Sequence, residues 1–203
     1  MLQALFNDFL TLFVVIDPIG IVPIFLALVR HLPKAQRRRT AFRGVMIAGV
    51  ILLLFVFGGE FLLKAIGVTM PSFRVAGGVI LFLFGLQMVF GSGESEAGHD
   101  SGPETGYDPA VYPVAIPSIA GPGAMLAVTE LAQTSSATSL GKPITAGLLV
   151  LVLLITWAML AAADVILNLI GRTGANAVSR VLGILLTGVA VEFVVSGIRG
   201  LVH

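Results

Sequence analysis

Asp17-Pro18-Ile19-Gly20-Ile21-Val22-Pro23 and Pro117-Ser118-Ile119-Ala120-Gly121-Pro122-Gly123 decide how this chain is read. Each lies inside a long apolar run, where an uninterrupted helix would be the default. A proline removes a backbone donor and crowds the carbonyl one turn back, so both runs must break. Inside lipid a broken backbone is tolerated only where it is packed in protein or lines a cavity. Paired breaks in two halves of one chain are the best sequence pointer to a transporter's binding site.

The rest of the chain has the composition of a bilayer protein. Hydrophobic residues make up 57% of the 203 residues and charged residues 11%, and the mean hydropathy is +1.02. Soluble domains carry about a quarter charged residues, and six spans of about 20 residues each consume nearly the whole length. The net charge of +1 comes with cations gathered in one loop, which argues against a nucleic-acid groove. There is no cysteine, so disulfides, thiolate metal sites and cysteine nucleophiles are excluded. His31, His99 and His203 have no metal-ligand spacing. Asn7 and Asp8, not basic residues, precede the first apolar run, and no small-x-small cleavage site follows it. That run is expected to be retained as the first span and not cleaved as a signal.

The apolar periodicity predicts an all-α fold, one transmembrane domain over 1–203, with helices at about 9–30, 42–68, 72–90, 111–132, 143–170 and 177–200. Residues 91–109, rich in Gly, Ser, Glu and Asp with Pro103 and Pro109, read as a linker between halves 1–90 and 110–203. Arg30, Lys34, Arg37, Arg38, Arg39 and Arg43 form the densest basic cluster, which sets that loop on the cytoplasmic side and both termini on the periplasmic side. Plain topology explains the cluster; a lipid headgroup site is the alternative reading.

Residues 1–90 overlay on 105–202 at three anchors. Pro18 falls on Pro122, Glu60 with Ile66-Gly67 on Asp164 with Ile170-Gly171, and Arg74-Val75-x-Gly77 on Arg180-Val181-x-Gly183. The offsets are 104, 104 and 106, in chain order. Three helices per copy invert the second copy in the membrane. The expected fold is therefore two inverted three-helix repeats, each with a broken first helix, meeting at mid-depth.

Asp17 is the sharpest functional candidate, because a mid-membrane carboxylate costs several kcal/mol unless paired, hydrated or protonated. It either faces a substrate ammonium or caps the half-helix that restarts at Pro18. Gly20 permits close approach, Pro23 interrupts the same segment, and Pro117, Gly121, Pro122 and Gly123 offer bare backbone in the other half. A substrate carboxylate would meet amide groups there. Arg74 and Arg180 open the third and sixth helices; they snorkel to the interface or pair with Asp17, Glu60, Asp164 or Glu192. Glu60 has Lys64 one turn on as a partner, whereas Asp164 has only Asn168, so Asp164 is the less neutralised. Glu192, flanked by Val191, Phe193 and Val194, must face protein or water and is a proton-carrier candidate. Thr129, Glu130, Gln133 and Thr134 suit either an exit vestibule or ordinary interface polarity, and Trp157 either packing or an aromatic gate.

The Asp17-Pro18-x-Gly20-x-x-Pro23-x-Phe25-Leu26 motif, the Phe73-to-Phe82 run and the Ile116-to-Ala124 run together resemble the MarC family of bacterial integral membrane proteins. The resemblance covers essentially the whole chain and implies kinship with the LysE group of exporters and transport of neutral amino acids. It marks Asp17, Pro18, Gly20, Pro23, Arg74, Gly77, Gly78, Pro117, Gly121, Pro122 and Gly123 as signature positions. Glu192 stands where the family pattern often has glutamine, which alters the charge balance of the last helix.

The sequence therefore predicts an inner-membrane secondary transporter, working by alternating access on small zwitterions, with a proton as the coupling ion and no cofactor or metal. No Gly-x4-Gly-Lys-Ser/Thr loop is present to bind ATP. A passive channel is the rival reading, and a membrane scaffold or lipid-directed enzyme a third. Enzymatic activity is not expected, because no buried His, Cys or Ser-His constellation occurs at working spacing.

Overall fold

The computed structural model describes residues 2–90, 108–134 and 141–202, and among them there is helix and no strand. The elements are α1 (Leu2–Ile16), α2 (Pro18–Val29), α3 (Lys34–Ala65), α4 (Met70–Phe90), an irregular wide-turned segment Ala110–Ile119, α5 (Pro122–Thr134), α6 (Gly141–Ala161) and α7 (Ala163–Val202). Five stretches are long and apolar enough to cross a membrane: Leu2–Val29, Lys34–Ala65, Met70–Phe90, Gly141–Ala161 and Thr173–Val202. Ala110–Ile119 and α5, bent by 54°, make a sixth if the pair counts as one broken span. Most of the expected linker, 91–107, lies outside the described residues, as do His99 and His203.

α3 shows why these helices belong in lipid. Its buried residues Ala41, Val45, Ala48, Leu52, Val56, Gly59 and Leu63 recur at three- and four-residue steps, the stripe that packs on neighbours. The opposite face exposes Phe42, Met46, Val50, Leu54, Phe57 and Phe61. A helix apolar all round, with one stripe packed and the other bare, has hydrocarbon as its outer solvent. α3 starts at Lys34 and not near 42, because the basic run that looked like a loop is made of good helix formers.

α4 and α7 make the most extensive contact in the bundle. A Cβ at Gly85 would stand 3.0 Å from the Gly183 carbonyl oxygen, one at Gly78 2.9 Å from that of Ala190, and one at Gly197 2.8 Å from that of Pro71. Partner numbers fall along α7 as they rise along α4, so the helices run antiparallel with their backbones nearly touching. Small residues permit this approach, and dispersion is the attraction available between helices in lipid.

The expected bounds of the fifth helix are corrected. The fifth helix does not run over 143–170: α6 ends at Ala161, and α7 begins at Ala163 after a single turn residue. The 21 residues of α6 already reach about 30 Å at 1.5 Å each, while the apolar Val165, Ile166, Leu169 and Ile170 kept the hydrophobic signal going past the break. α7 is itself kinked at Gly171, whose φ of 66° and ψ of 170° are accessible essentially to glycine alone. The fourth span is broken where the sequence places it, between the irregular segment ending at Ile119 and α5 starting at Pro122.

Candidate functional site

The first break sits between α1 and α2. Asp17 takes left-handed angles, φ 48° and ψ 65°, the only non-glycine residue with positive φ among the described ones. Short polar side chains such as Asp tolerate this region better than bulky ones. Its backbone N–H still donates to Phe13 O at 3.0 Å, so the chain turns without coming apart. Pro18 then occupies the first helical position, where a missing N–H does no harm. The Asp17 carboxylate accepts a hydrogen bond from the Gly20 N–H at 3.0 Å. The residue is 8% exposed, in a core otherwise almost wholly apolar. Pro23, inside α2, removes the donor that would have met the Ile19 carbonyl.

Gly20 is fixed by this carboxylate. A Cβ there would lie 1.8 Å from Asp17 Oδ2. Gly20→Ala should push the carboxyl group out of the cap and lower stability by about 1 kcal/mol, the worth of an N-cap. A thermal melt of the purified variant checks this; an unchanged melting temperature would mean the carboxylate has another place to go.

The second break is built from backbone. Tyr112 and Ile116 are extended ahead of Pro113 and Pro117, both in cis peptide bonds. The wide turn closes with the Ala120 N–H donating to Ala115 O at 2.8 Å, and α5 restarts with Met125 N–H donating to Gly121 O at 3.0 Å. Pro122 stands at the first helical position, as Pro18 does in α2. A Cβ on Gly121 would come 2.6 Å from the Pro117 carbonyl oxygen, and one on Gly123 2.1 Å from Leu81 Cδ1. Gly121 therefore serves the tight turn, and Gly123 the approach of α5 to α4. Pro117 and Pro122 are exposed, while Gly123 is buried. Ile16, Ile21 and Val22 beside the first break share one apolar cluster with Ile119, Ala120 and Ala124 beside the second.

Two ion pairs join elements from the two halves. Arg74 of α4 grips Glu130 of α5 with a two-pronged guanidinium fork, Nε to Oε2 and Nη2 to Oε1 both at 2.5 Å. These side chains are 22% and 14% exposed. Arg74 thus pairs with Glu130, outside the four partners expected from the sequence, which could not see that α4 and α5 adjoin. At the other end of α3, Arg37 Nη1 donates to Asp164 Oδ1 at 3.0 Å. Arg37 Nε donates to Leu32 O and its Nη2 to Arg30 O, so one side chain holds the loop shape as well. Asp164 is therefore not the unneutralised acid of a mid-helix position; it opens α7 beside the basic loop. Arg43 meets Asp108 at 2.7 Å, which sets the last residues of the expected linker at the same end of the bundle as that loop.

The remaining expected residues lie apart. Glu60 pairs with Lys64 at 2.6 Å, the partner its spacing suggests. Arg180 and Glu192 are exposed on α7, each without an ion-pair partner among the described residues, so Glu192 is not in the bundle interior. Thr129 is buried and donates to Met125 O; the side chain of Thr134 is outside the described ones. Trp157 meets Phe42 edge-on at 6.3 Å between ring centroids, which is packing. Two cavities of about 390 and 380 Å³ open at opposite ends of α3. Glu60, Lys64 and Gln133 line one; Lys34, Arg37, Arg38 and Asp164 line the other. No group of three or more His, Cys, Asp or Glu able to hold a metal occurs among the described residues.

A family model described as MarC family integral membrane protein matches residues 2–202. The UPF0056 membrane protein MJ1677 of Methanocaldococcus jannaschii is 36% identical over 98% of both chains. The UPF0056 inner membrane protein YhgN of Escherichia coli is 32% identical over 93% of this chain and 92% of its own. A UPF0056 membrane protein of Pyrococcus abyssi is 32% identical over 93% and 91%. No solved structure matches.

Proposed function

The chain belongs to the MarC family of integral membrane proteins, and from that premise we propose that it is a secondary transporter of small zwitterions, neutral amino acids being the class. The observation that carries this reading is Asp17: a carboxylate buried at a span break, in strained left-handed backbone, with a second broken span sharing its apolar surroundings. A strained residue persists where the structure over-determines it, and such positions cluster at binding sites. Asp17 would receive the substrate ammonium, and the amino end of α5 from Gly121 to Gly123 its carboxylate. Pro18, Gly20, Pro23, Pro117 and Pro122 keep the two breaks open.

In this reading the halves are inverted repeats that exchange conformations. The Arg74–Glu130 and Arg37–Asp164 pairs tie them together at either end, and a proton is the coupling ion. Arg180 and Glu192, being exposed, have a lesser part, as does the half-buried Glu60, which is held by Lys64. No catalytic chemistry is proposed. The protein would lie in the inner membrane with both termini periplasmic.

Counterflow in proteoliposomes tests the function. Vesicles loaded with unlabelled alanine should accumulate external labelled alanine transiently and saturably, and empty-loaded vesicles should not. Flux that is linear in concentration and blind to internal alanine would replace the carrier by a passive pore.

A further inference from the structure

The basic loop forms more than a topological signal, because part of it folds around a cavity. Lys34, Arg37 and Arg38, on the first turns of α3, line one wall of the space of about 380 Å³, and Asp164 lines the other. Arg37 is committed to Asp164 and to two loop carbonyls. Lys34 and Arg38 are exposed and have no carboxylate partner among the described residues. The cavity thus keeps two uncompensated cations beside a neutralised pair.

Its other lining is apolar. Phe25 and Leu26 of α2, Leu160 at the end of α6 and Val165 of α7 complete the wall. Val165 is 68% exposed, as is Leu169 one turn on at 83%, in the stretch between the Ala162 break and the Gly171 kink. α6 ends after a single membrane-spanning length, so the cavity sits where hydrocarbon gives way to headgroups. A freely soluble anion would have use for the cations only; a lipid has use for both walls.

We propose that this cavity binds the phosphate of an anionic phospholipid, with Lys34 and Arg38 as its direct ligands and the apolar wall against the first carbons of the acyl chains. Arg37 positions the site by fixing α3 to the start of α7. Basic residues at this depth attract anionic headgroups, and the fork of Arg38 suits a phosphate's oxygens. The inference is independent of what the protein transports.

Native mass spectrometry of the detergent-solubilised protein, titrated with phosphatidylglycerol, phosphatidylcholine or inorganic phosphate, tests it. Phosphatidylglycerol should bind well above phosphatidylcholine, and the double variant Lys34→Gln/Arg38→Gln should weaken it on the order of tenfold or more, from about 1 kcal/mol per surface cation removed. The double variant Arg30→Gln/Arg39→Gln removes equal charge from the same basic segment but outside the cavity, and should leave binding within about twofold. Equal weakening by both variants would reduce the site to diffuse charge and overturn the proposal. Displacement of the lipid by millimolar inorganic phosphate would overturn it in favour of a soluble phosphate ligand. Equal binding of the two lipids would also sink it.

Discussion

Replacing Asp17 by asparagine should cut amino-acid transport at least about tenfold while leaving the protein folded and inserted. The side-chain oxygen of asparagine can still accept from the Gly20 N–H, and asparagine tolerates left-handed angles as well as aspartate does. What the substitution removes is the negative charge, and a charge contact in this desolvated position is worth more than the 1.4 kcal/mol that makes a factor of ten. Asp17→Ala should behave differently, losing about 1 kcal/mol of stability with the cap as well as the transport. Proteoliposome uptake together with thermal melts separates the two roles. Undiminished uptake by the asparagine variant would leave Asp17 as a helix cap and nothing more.

The second large effect is expected at Arg74 and Glu130. Removing Glu130 strands the Arg74 guanidinium between α4 and α5, where both side chains are less than a quarter exposed. Glu130→Leu should therefore lose about 2 kcal/mol, since truncating the acid of a desolvated pair leaves the guanidinium without its fork, and Arg74→Met should lose the same two charge-assisted bonds. For a chain of this size that is a fall in melting temperature of roughly 4–8 °C. The double variant should recover most of the loss, because two apolar side chains of similar volume need no partner. A double variant as unstable as the sum of the singles would show that the pair does not act as a unit.

The breaks were legible in the sequence because proline and aspartate are rare in apolar runs and each has one strong structural meaning. Pro18 and Pro122 both stand where a helix restarts, and Gly67 and Gly171, matched in the sequence, both have positive φ, 74° and 66°. The partners of charged residues were not legible. Glu60–Lys64 lies within one helix and follows from spacing; Arg74–Glu130 and Arg37–Asp164 join elements 56 and 127 residues apart and depend on how the helices pack. The end of α6 is not legible for another reason: Ala161, Ala162 and Ala163 carry no breaker, and apolar residues follow. That Glu192 falls on the unpacked face of α7 was not legible either, because which face of a largely apolar helix is packed depends on glycine contacts across α4, which no periodicity announces.

The backbone contact between α4 and α7 has a mechanical corollary. Two rods locked carbonyl to glycine along their length resist shearing, so in any rearrangement they would travel as a single stiff beam. Gly67 and Gly171, with nothing within 4 Å of a would-be Cβ, are the joints left at the beam's two ends. Torsion there could swing it without disturbing a packed side chain.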